Sequence, residues 1–279
     1  MNTIQSYYFN SPELTIHRII SPPEEGIFVN SYVLETAHNL VLFDLPLLDS
    51  CTAFIQSFVG KLNKPISRIY ISHAHPDHFF GLSRFKGHEA YASEKCIAEI
   101  AEFGYTYLEF KRSQMVAPAD LPDSIKTPEV SAKDHVYTVD GIDLHAKVAS
   151  NVEYLEGLYI EIPQHKIFLA GDIIYNDVHH YIGQRDESGA PCLPSWISFL
   201  KALNPSDYDF ILPGHGEPAG PELITKSIGY LESLVPQLED SANDTSYRDF
   251  LKTNYPNYRV EEIIDISSYF LFNPPLAKS

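Results

Sequence analysis

The segment ISHAHPDHFFGL, residues 71–82, places three histidines and an aspartate within six positions at the end of the apolar run RIYIS. The four side chains are His73, His75, Asp77 and His78. Burying three imidazoles and a carboxylate without partners is costly, so a folded chain has to provide something that binds them. Imidazole and carboxylate groups are common ligands of transition metals. The cluster therefore predicts a metal site at the carboxyl end of a strand.

The residues before this cluster alternate between strand-like and helix-like patterns. In NSYVLETAHNLVLFDLP two apolar runs flank a polar turn, which predicts a β-hairpin of Tyr32–Leu34 and Leu40–Phe43. Apolar residues at helical spacing then predict a helix over 51–62, with Asp49 or Ser50 as its N-cap. The strand RIYIS follows. This order of hairpin, helix, strand and metal-competent loop predicts an α/β (α+β) fold.

The second half of the chain has the same organisation. VYTVDGIDLHAKVA predicts a hairpin around Asp140-Gly141, and LYIEIPQHKIFLAGD predicts another that leads into Asp172. SWISFLKAL predicts a helix with Trp196 in the core, and DFILPGHG predicts a strand that ends at His215. Each metal-competent loop therefore follows an apolar strand.

No linker, internal repeat or low-complexity tract divides the chain, which predicts a single domain over 1–279. A helical C-terminal segment is predicted from about residue 221, in PELITKSIGYLESLVPQL and VEEIIDISSYFLF. The polar, proline-rich stretch 105–135 predicts an irregular insertion at the rim of a pocket. Aromatic residues on and before this stretch predict a hydrophobic wall of that pocket, formed by Phe103, Tyr105, Tyr107 and Phe110.

Composition narrows the class of protein. The 279 residues include 37 acidic and 20 basic side chains, and the net charge of −17 argues against a nucleic-acid partner because it repels phosphate backbones. Three widely spaced cysteines without a CxxC pair predict reduced thiols in the cytoplasm. The N-terminus does not resemble a signal peptide, and the apolar runs are too short to span a bilayer. We expect a cytoplasmic protein with a small-molecule substrate and no membrane partner.

Spacing within the cluster predicts how its members divide between two ions. Alternate residues of an extended loop point the same way, so His73 and His75 can bind one ion together. The aspartate and histidine that follow the turn at Pro76 face another direction and suit a second, adjacent ion. Asp172 and His215 come from other strand ends, as ligands brought together by the fold should.

The three motifs together resemble those of a known family. HAHPDHFFG resembles the His-x-His-x-Asp-His signature of the metallo-β-lactamase-fold superfamily, LAGDIIY resembles its Gly-Asp motif and LPGHG its final histidine motif. The likeness extends over roughly residues 14–220 and implies an αββα sandwich, two mixed sheets flanked by helices, with two divalent metal ions at one edge. The implied ligands are His73, His75 and a third residue for site one; Asp77, His78 and His215 for site two; and Asp172 as the bridge.

The third ligand of site one departs from the family's pattern. That family usually has a histidine roughly a score of residues before the aspartate of the Gly-Asp motif, and VASNVEYLEGLYIEIP contains none. Glu153 lies in register, 19 residues before Asp172, whereas His145 lies 27 residues before it and within a strand. We therefore predict Glu153 as the third ligand. Zinc is the first expectation for both sites, and an added oxygen ligand favours harder ions such as manganese or iron.

The resemblance implies a metal-dependent hydrolase. A metal-bridging hydroxide, formed from a water whose pKa falls from 15.7 towards ~7, would attack the carbonyl of an ester, thioester, lactone or lactam. Asp77 would orient this nucleophile and carry its proton to the leaving group. Two alternatives stay open: a di-iron oxidoreductase such as a sulfur dioxygenase, whose fold is similar, and a non-catalytic member that binds a ligand or partner.

Side chains just after the Gly-Asp motif are the candidates for substrate contact. We predict this role for Tyr175 and His179, with packing as the alternative for Tyr175. His145 is predicted to pack within its strand. Polar or turn contexts predict surface positions for His17, His38, His88, His135 and His165.

Overall fold

Two mixed β-sheets form the centre of the computed structural model, which describes residues 2–23, 27–115, 120–238 and 243–273. The first sheet has its strands in chain order: β1 (Thr3–Phe9), β2 (Leu14–Ile20), β3 (Asn30–Glu35), β4 (Leu40–Phe43), β5 (Ile66–Tyr70), β6 (Ala90–Ala92) and β7 (Val130–Ser131). Neighbours from β1 to β4 are antiparallel, and neighbours from β4 to β7 are parallel.

The second sheet comes later in the chain. Its strands are β8 (His135–Val139), β9 (Ile142–Ser150), β10 (Glu156–Ile162), β11 (Ile167–Asn176) and β12 (Phe210–Gly216). Neighbours from β8 to β11 are antiparallel, and β12 pairs parallel to β11. All ten residues of β11 are buried, because the strand has packed layers on both faces.

Helices cover the outer face of each sheet. They are α1 (Asp49–Leu62), α2 (Pro76–Phe79), α3 (Glu94–Gln114), α4 (Leu193–Ala202), α5 (Glu222–Leu234), α6 (Asp244–Asn254) and α7 (Glu262–Phe272). One apolar cluster joins α1 and α3 to the first sheet, and another joins α4, α5, α6 and α7 to the second. A third lies between the sheets, with Phe43 and Leu169 among its members. This layering confirms the predicted αββα sandwich.

The predicted local elements are largely present. The three predicted hairpins correspond to β3–β4, β8–β9 and β10–β11. Asp140 and Gly141 both have positive φ, 49° and 81°, as the tight turn between β8 and β9 requires. Trp196 is buried in α4, where its Nε1 donates to the Ile173 carbonyl at 3.0 Å. The predicted helical segment from about 221 contains α5, α6 and α7.

The predicted cap of α1 is wrong. Leu48 occupies the N-cap position and no side chain caps the helix. Asp49 pairs with Arg84 instead, and the Ser50 hydroxyl donates to Asp120 at 2.7 Å. Both candidate caps are therefore used to bind neighbouring segments.

The prediction of an irregular stretch over 105–135 is wrong for residues 105–114, which continue α3. Ser93 begins this helix by accepting a hydrogen bond from the Cys96 amide at 3.2 Å. Only a narrow stripe of α3 is buried, and the polar composition of its other faces hides the helical period: the stripe consists of Cys96, Ile100, Gly104 and Leu108. Residues 116–119 lie outside the described part of the chain.

The surface prediction for His17 is also wrong. Its ring is 7% exposed and lies between the Ser6 hydroxyl at 2.8 Å and the Glu35 carboxylate at 2.9 Å. His38 and His135 are exposed, and His88, His145 and His165 are half-buried. The three cysteines are buried and form no disulfide among the described residues. Within the same ranges, no helix has the length and apolar character needed to cross a bilayer.

Candidate metal centre

Seven acidic and histidine side chains meet at one edge of the sandwich, and both sheets contribute to them. The loop after β5 and the short helix α2 supply His73, His75, Asp77 and His78. The second sheet supplies Glu153 from the β9–β10 turn, Asp172 from β11 and His215 from β12. They form two groups in which potential ligand atoms lie within 4.8 Å of one another: His73, His75, Glu153 and Asp172, and Asp77, His78 and His215.

The first group contains the glutamate that the sequence predicts as the third ligand. Its Oε2 lies 3.6 Å from His73 Nε2, and its Oε1 lies 3.2 Å from His75 Nδ1. Donor atoms at zinc-ligand distance in a tetrahedral arrangement are about 3.4 Å apart. Both measured distances are close to this value, and Glu153 is fully buried, so its carboxylate is placed to bind an ion together with the two histidines.

The second group adjoins the first through Asp172. Asp77 Oδ2 lies 3.3 Å from the Nε2 atoms of both His78 and His215. Asp172 Oδ1 lies 3.3 Å from His78 Nε2, and Oδ2 lies 3.3 Å from His215 Nε2 and 3.9 Å from His73 Nε2. This carboxylate therefore has the position of the predicted bridge.

Several of these atoms are buried and have no hydrogen-bond partner among the described residues. They are His73 Nε2, His78 Nε2, Glu153 Oε2 and Asp172 Oδ1. A buried polar atom without a partner costs free energy, and a bound cation would supply that partner. The nitrogen and oxygen donors, their spacing and their missing partners all fit divalent metal ions.

A buried aspartate that the sequence motifs did not indicate orients two of the histidines. Asp44 Oδ2 lies 2.8 Å from His78 Nδ1 and accepts the Ser72 hydroxyl at 2.7 Å. The Ser72 oxygen then accepts the proton of His73 Nδ1 at 2.8 Å. Both imidazoles therefore carry the proton on Nδ1, which leaves Nε2 free to bind an ion. Asp44 ends the strand in LVLFD, and its position at a strand's carboxyl end was the available signal.

The end of β12 is attached to the first sheet by buried polar contacts. Arg18 is 0% exposed; its Nε donates to Asn30 at 2.8 Å and one terminal nitrogen donates to the Gly216 carbonyl at 2.8 Å. Asn30 and Tyr32 donate to the Pro213 carbonyl at 2.9 and 2.7 Å. These bonds fix the backbone on both sides of the β12 ligand.

A glycine is required where β12 passes the Asp172 carboxylate. A Cβ at Gly214 would lie 1.8 Å from Asp172 Oδ1, which is far inside contact distance. The LPGHG motif therefore has a glycine before its histidine because β12 must approach β11 this closely.

The two predicted substrate residues have different positions. The Tyr175 hydroxyl donates to Asp172 Oδ2 at 2.7 Å and lies 3.3 Å from Glu153 Oε1, and its ring stacks on that of His215. Tyr175 also lines the cavity above the two groups. His179 is buried outside that lining, with its Nδ1 3.1 Å from the Tyr230 hydroxyl. Asp177, which lies between β11 and His179, has a left-handed φ of 54°.

A cavity of about 1000 Å³ opens above both groups. Asp77, Glu153, Asp172 and His215 line its floor. Of the predicted aromatic wall, Tyr107 and Phe110 line it, whereas Tyr105 faces solvent. The volume is sufficient for a small organic molecule.

In the absence of metal, two histidines of these groups carry protons that an ion would have to displace. Burial disfavours the charge on His75, but Glu153 outweighs this effect and raises the pKa of His75 to about 9. In the same way Asp172 and Asp77 raise the pKa of His215 to about 10 against the effect of burial. Both imidazoles are therefore protonated at pH 7, and a metal binds only to their deprotonated forms.

Metal binding to the metal-free protein is therefore expected to release protons at pH 7 and to tighten as the pH rises towards 10. Adding zinc in weakly buffered solution, with an indicator dye, measures the release. The release should shrink above the pKa values of about 9 and 10 for His75 and His215, because little of either ring is then protonated. Zinc binding at pH 7 without proton release would contradict this expectation.

Comparisons with known proteins agree with this geometry. The sequence model of the metallo-beta-lactamase superfamily matches residues 25–215. A metallo-beta-lactamase from Pontibacter korlensis is 19% identical, with a TM-score of 0.61 over 82% of this chain and 99% of its own. Metallo-beta-lactamase IND-7 is 18% identical, with a TM-score of 0.61 over 83% of this chain and 98% of its own.

FIM-1 from Pseudomonas aeruginosa, solved in a mono-zinc form, is 17% identical, with a TM-score of 0.57 over 82% of this chain and 95% of its own. At such identities the likeness to solved structures shows the fold alone. No curated protein sequence matches the chain. The family match covers more than half of the sequence, and the chain belongs to the metallo-β-lactamase superfamily.

Proposed function

We propose that the protein is a metal-dependent hydrolase that cleaves an ester, thioester, lactone or lactam. The observation that carries the proposal is the pair of candidate ligand groups that adjoin at Asp172 on the floor of an open cavity. Divalent ions bound there, with zinc as the first candidate, would acidify a water and polarise the substrate carbonyl.

Asp77 is the residue that moves the proton in this proposal. In the metal-free protein burial would raise its pKa, but His78 and His215 outweigh this effect and hold the pKa well below its usual range. The carboxylate lies at the cavity floor, where it can accept the proton of the attacking water. From there it can deliver the proton to the leaving group.

Tyr175 supports the reaction by holding two carboxylates at once. Its hydroxyl donates to Asp172 and lies within hydrogen-bond distance of Glu153, so one side chain fixes the bridge relative to the first group. Because Tyr175 also lines the cavity, it is in a position to contact substrate.

Glu153 favours a second candidate, a di-iron oxidoreductase of the sulfur dioxygenase type. Three carboxylates are present in the two groups, and oxygen ligands favour manganese and iron over zinc. Metal analysis of the purified protein, joined to assays with chromogenic esters, thioesters, lactones and lactams, separates the two. The hydrolase proposal expects turnover of at least one substrate and its loss on chelation. Full activity in a metal-free preparation would refute it.

Replacing Asp77 with asparagine is expected to lower kcat by about 100-fold or more while most of the metal stays bound. The amide keeps an oxygen that can bind an ion, but it cannot accept a proton. Activity and metal content of Asp77→Asn should be compared with His38→Ala, since His38 is exposed and distant from the site. Equal turnover in the two variants would remove Asp77 from the mechanism.

A further inference from the structure

One wall of the cavity comes from a part of the chain outside the family match. The superfamily match ends at residue 215, whereas α7 spans Glu262–Phe272. Tyr269 and Phe270 of this helix line the cavity, as do Tyr107 and Phe110 of α3. The C-terminal helix of this chain therefore contributes to the shape of the cavity above the candidate metal groups.

Aromatic side chains of both α3 and α7 that line the cavity remain exposed to solvent. Phe110 is 59% exposed, Tyr269 61% and Phe270 38%. Large apolar side chains that stay exposed at the mouth of a cavity are typical of a ligand-binding groove. Because they line the same cavity as the metal groups, the apolar part of a substrate could bind between α3 and α7 while its carbonyl reaches the floor.

Two cations line the same cavity without an acidic partner. Among the described residues, the Lys111 ammonium group has no hydrogen-bond or ion-pair partner. The terminal nitrogens of Arg185 donate to the carbonyls of Gly189 and Leu271 at 2.9 and 3.0 Å, and its buried Nε has no acceptor among those residues. Unpaired cations are unusual in a chain whose net charge is −17.

Two acidic side chains that line the cavity on α3 and α7 already have hydrogen-bond or ion-pair partners. Glu99 accepts a hydrogen bond from the Tyr107 hydroxyl at 2.8 Å, and Asp265 pairs with Arg248. Glu99 also lies 12 residues before Lys111 on α3, which separates them by ~18 Å along the helix. An anion beside Lys111 would therefore be attracted by an unpaired cation, and it would lie too far from Glu99 to be strongly repelled by that carboxylate.

We infer that the substrate is an amphiphile with three parts. An aromatic or branched apolar group binds between α3 and α7, an anionic group binds near Lys111 and Arg185, and the scissile carbonyl lies over the metal groups. This inference rests on the proposed function for its last part alone, since the first two concern binding.

Calorimetric titration with a matched pair of probes tests the binding parts. Naphthalene-2-sulfonate carries an aromatic ring and an anion that is a weak metal ligand, and methyl 2-naphthyl sulfone is its neutral counterpart. The protein as purified should bind the sulfonate about fivefold more tightly than the sulfone, as one free cation near a partly buried anion would produce. Equal affinities for the two probes would overturn the inference.

Two variants assign the effect to residues. Lys111→Met should abolish most of the preference for the sulfonate, whereas Lys61→Met should keep it, because Lys61 is an exposed last-turn lysine of α1 outside the cavity. Phe110→Ala should weaken both probes about equally, whereas Tyr8→Ala, a change at an aromatic residue 77% exposed on β1, should leave both unchanged. A preference that survives Lys111→Met, or a Phe110→Ala variant with unchanged affinities, would refute the inference.

The same measurements distinguish this inference from the proposed function. Selective binding of the sulfonate, combined with no hydrolysis of any ester, thioester, lactone or lactam, would refute the hydrolase and support the two binding parts. Metal-dependent hydrolysis combined with equal affinities would support the hydrolase and refute the amphiphile.

Discussion

Replacing Asp172 with alanine is expected to abolish measurable hydrolysis and to weaken metal binding in both groups at once. Its two oxygens lie 3.3 Å from His78 and His215, and one also lies 3.9 Å from His73, so this carboxylate is close to histidines of both groups. Loss of an outer partner of a metal ligand typically costs 10–100-fold in affinity or activity. Loss of the bridge itself should cost at least about 100-fold.

Metal content by mass spectrometry and turnover by a chromogenic assay measure the two effects. Asp209→Ala is the matched control, because this aspartate is exposed and pairs with Lys166 at the surface. An Asp172→Ala variant that retains the metal content of the control would show that the carboxylate is no bridge. Intact folding of the variant is checked by circular dichroism.

The second large effect concerns Glu153, where substitution by alanine and substitution by histidine should affect metal binding differently. Glu153→Ala should weaken metal binding in the first group, because it removes both oxygens that approach His73 and His75. Glu153→His should still bind metal, but the acidity of a water at the site should change. Replacing a carboxylate with a neutral imidazole leaves one more positive charge at the site, so a water there would ionise at lower pH.

Activity of the natural protein should therefore peak at a higher pH than that of Glu153→His, and the variant should contain a larger share of zinc. The pH profile of kcat/KM and metal analysis after growth with mixed metals test this. Glu13→His is the control, since that glutamate is exposed and outside the cavity. If Glu153→Ala bound both ions with unchanged affinity, the assignment of Glu153 would be wrong, and His145 or a water would be the ligand to test.

The sequence predicts most of this site because its ligands lie in short, unusual motifs at strand ends. The cluster from His73 to His78 is dense, and Asp172 and His215 each follow an apolar strand. Glu153 was predicted by register alone, and the structure brings it to His73 and His75. The bridging and terminal roles of these residues stay predictions until an ion is measured, as does the single domain over 1–279.

The residues that support the ligands were not predictable in the same way. Asp44 and Arg18 are single polar residues within or beside apolar strands, and their partners lie far away in sequence. The helix α3 was partly missed because it buries a narrow stripe and is polar elsewhere. His17 was misplaced because its partners Ser6 and Glu35 come from neighbouring strands, which no local pattern reveals.

The order of the two sheets along the chain has a consequence for how the metal centre arises. All of the first sheet lies before Ala132, and all of the second lies after Lys133. A cut between them would leave four candidate ligands on one fragment and three on the other, with Asp172 separated from all three histidines of the first fragment. Neither fragment would hold a complete group, so the candidate metal centre forms only where the two halves pack together. Metal binding would therefore measure whether the two halves have packed correctly.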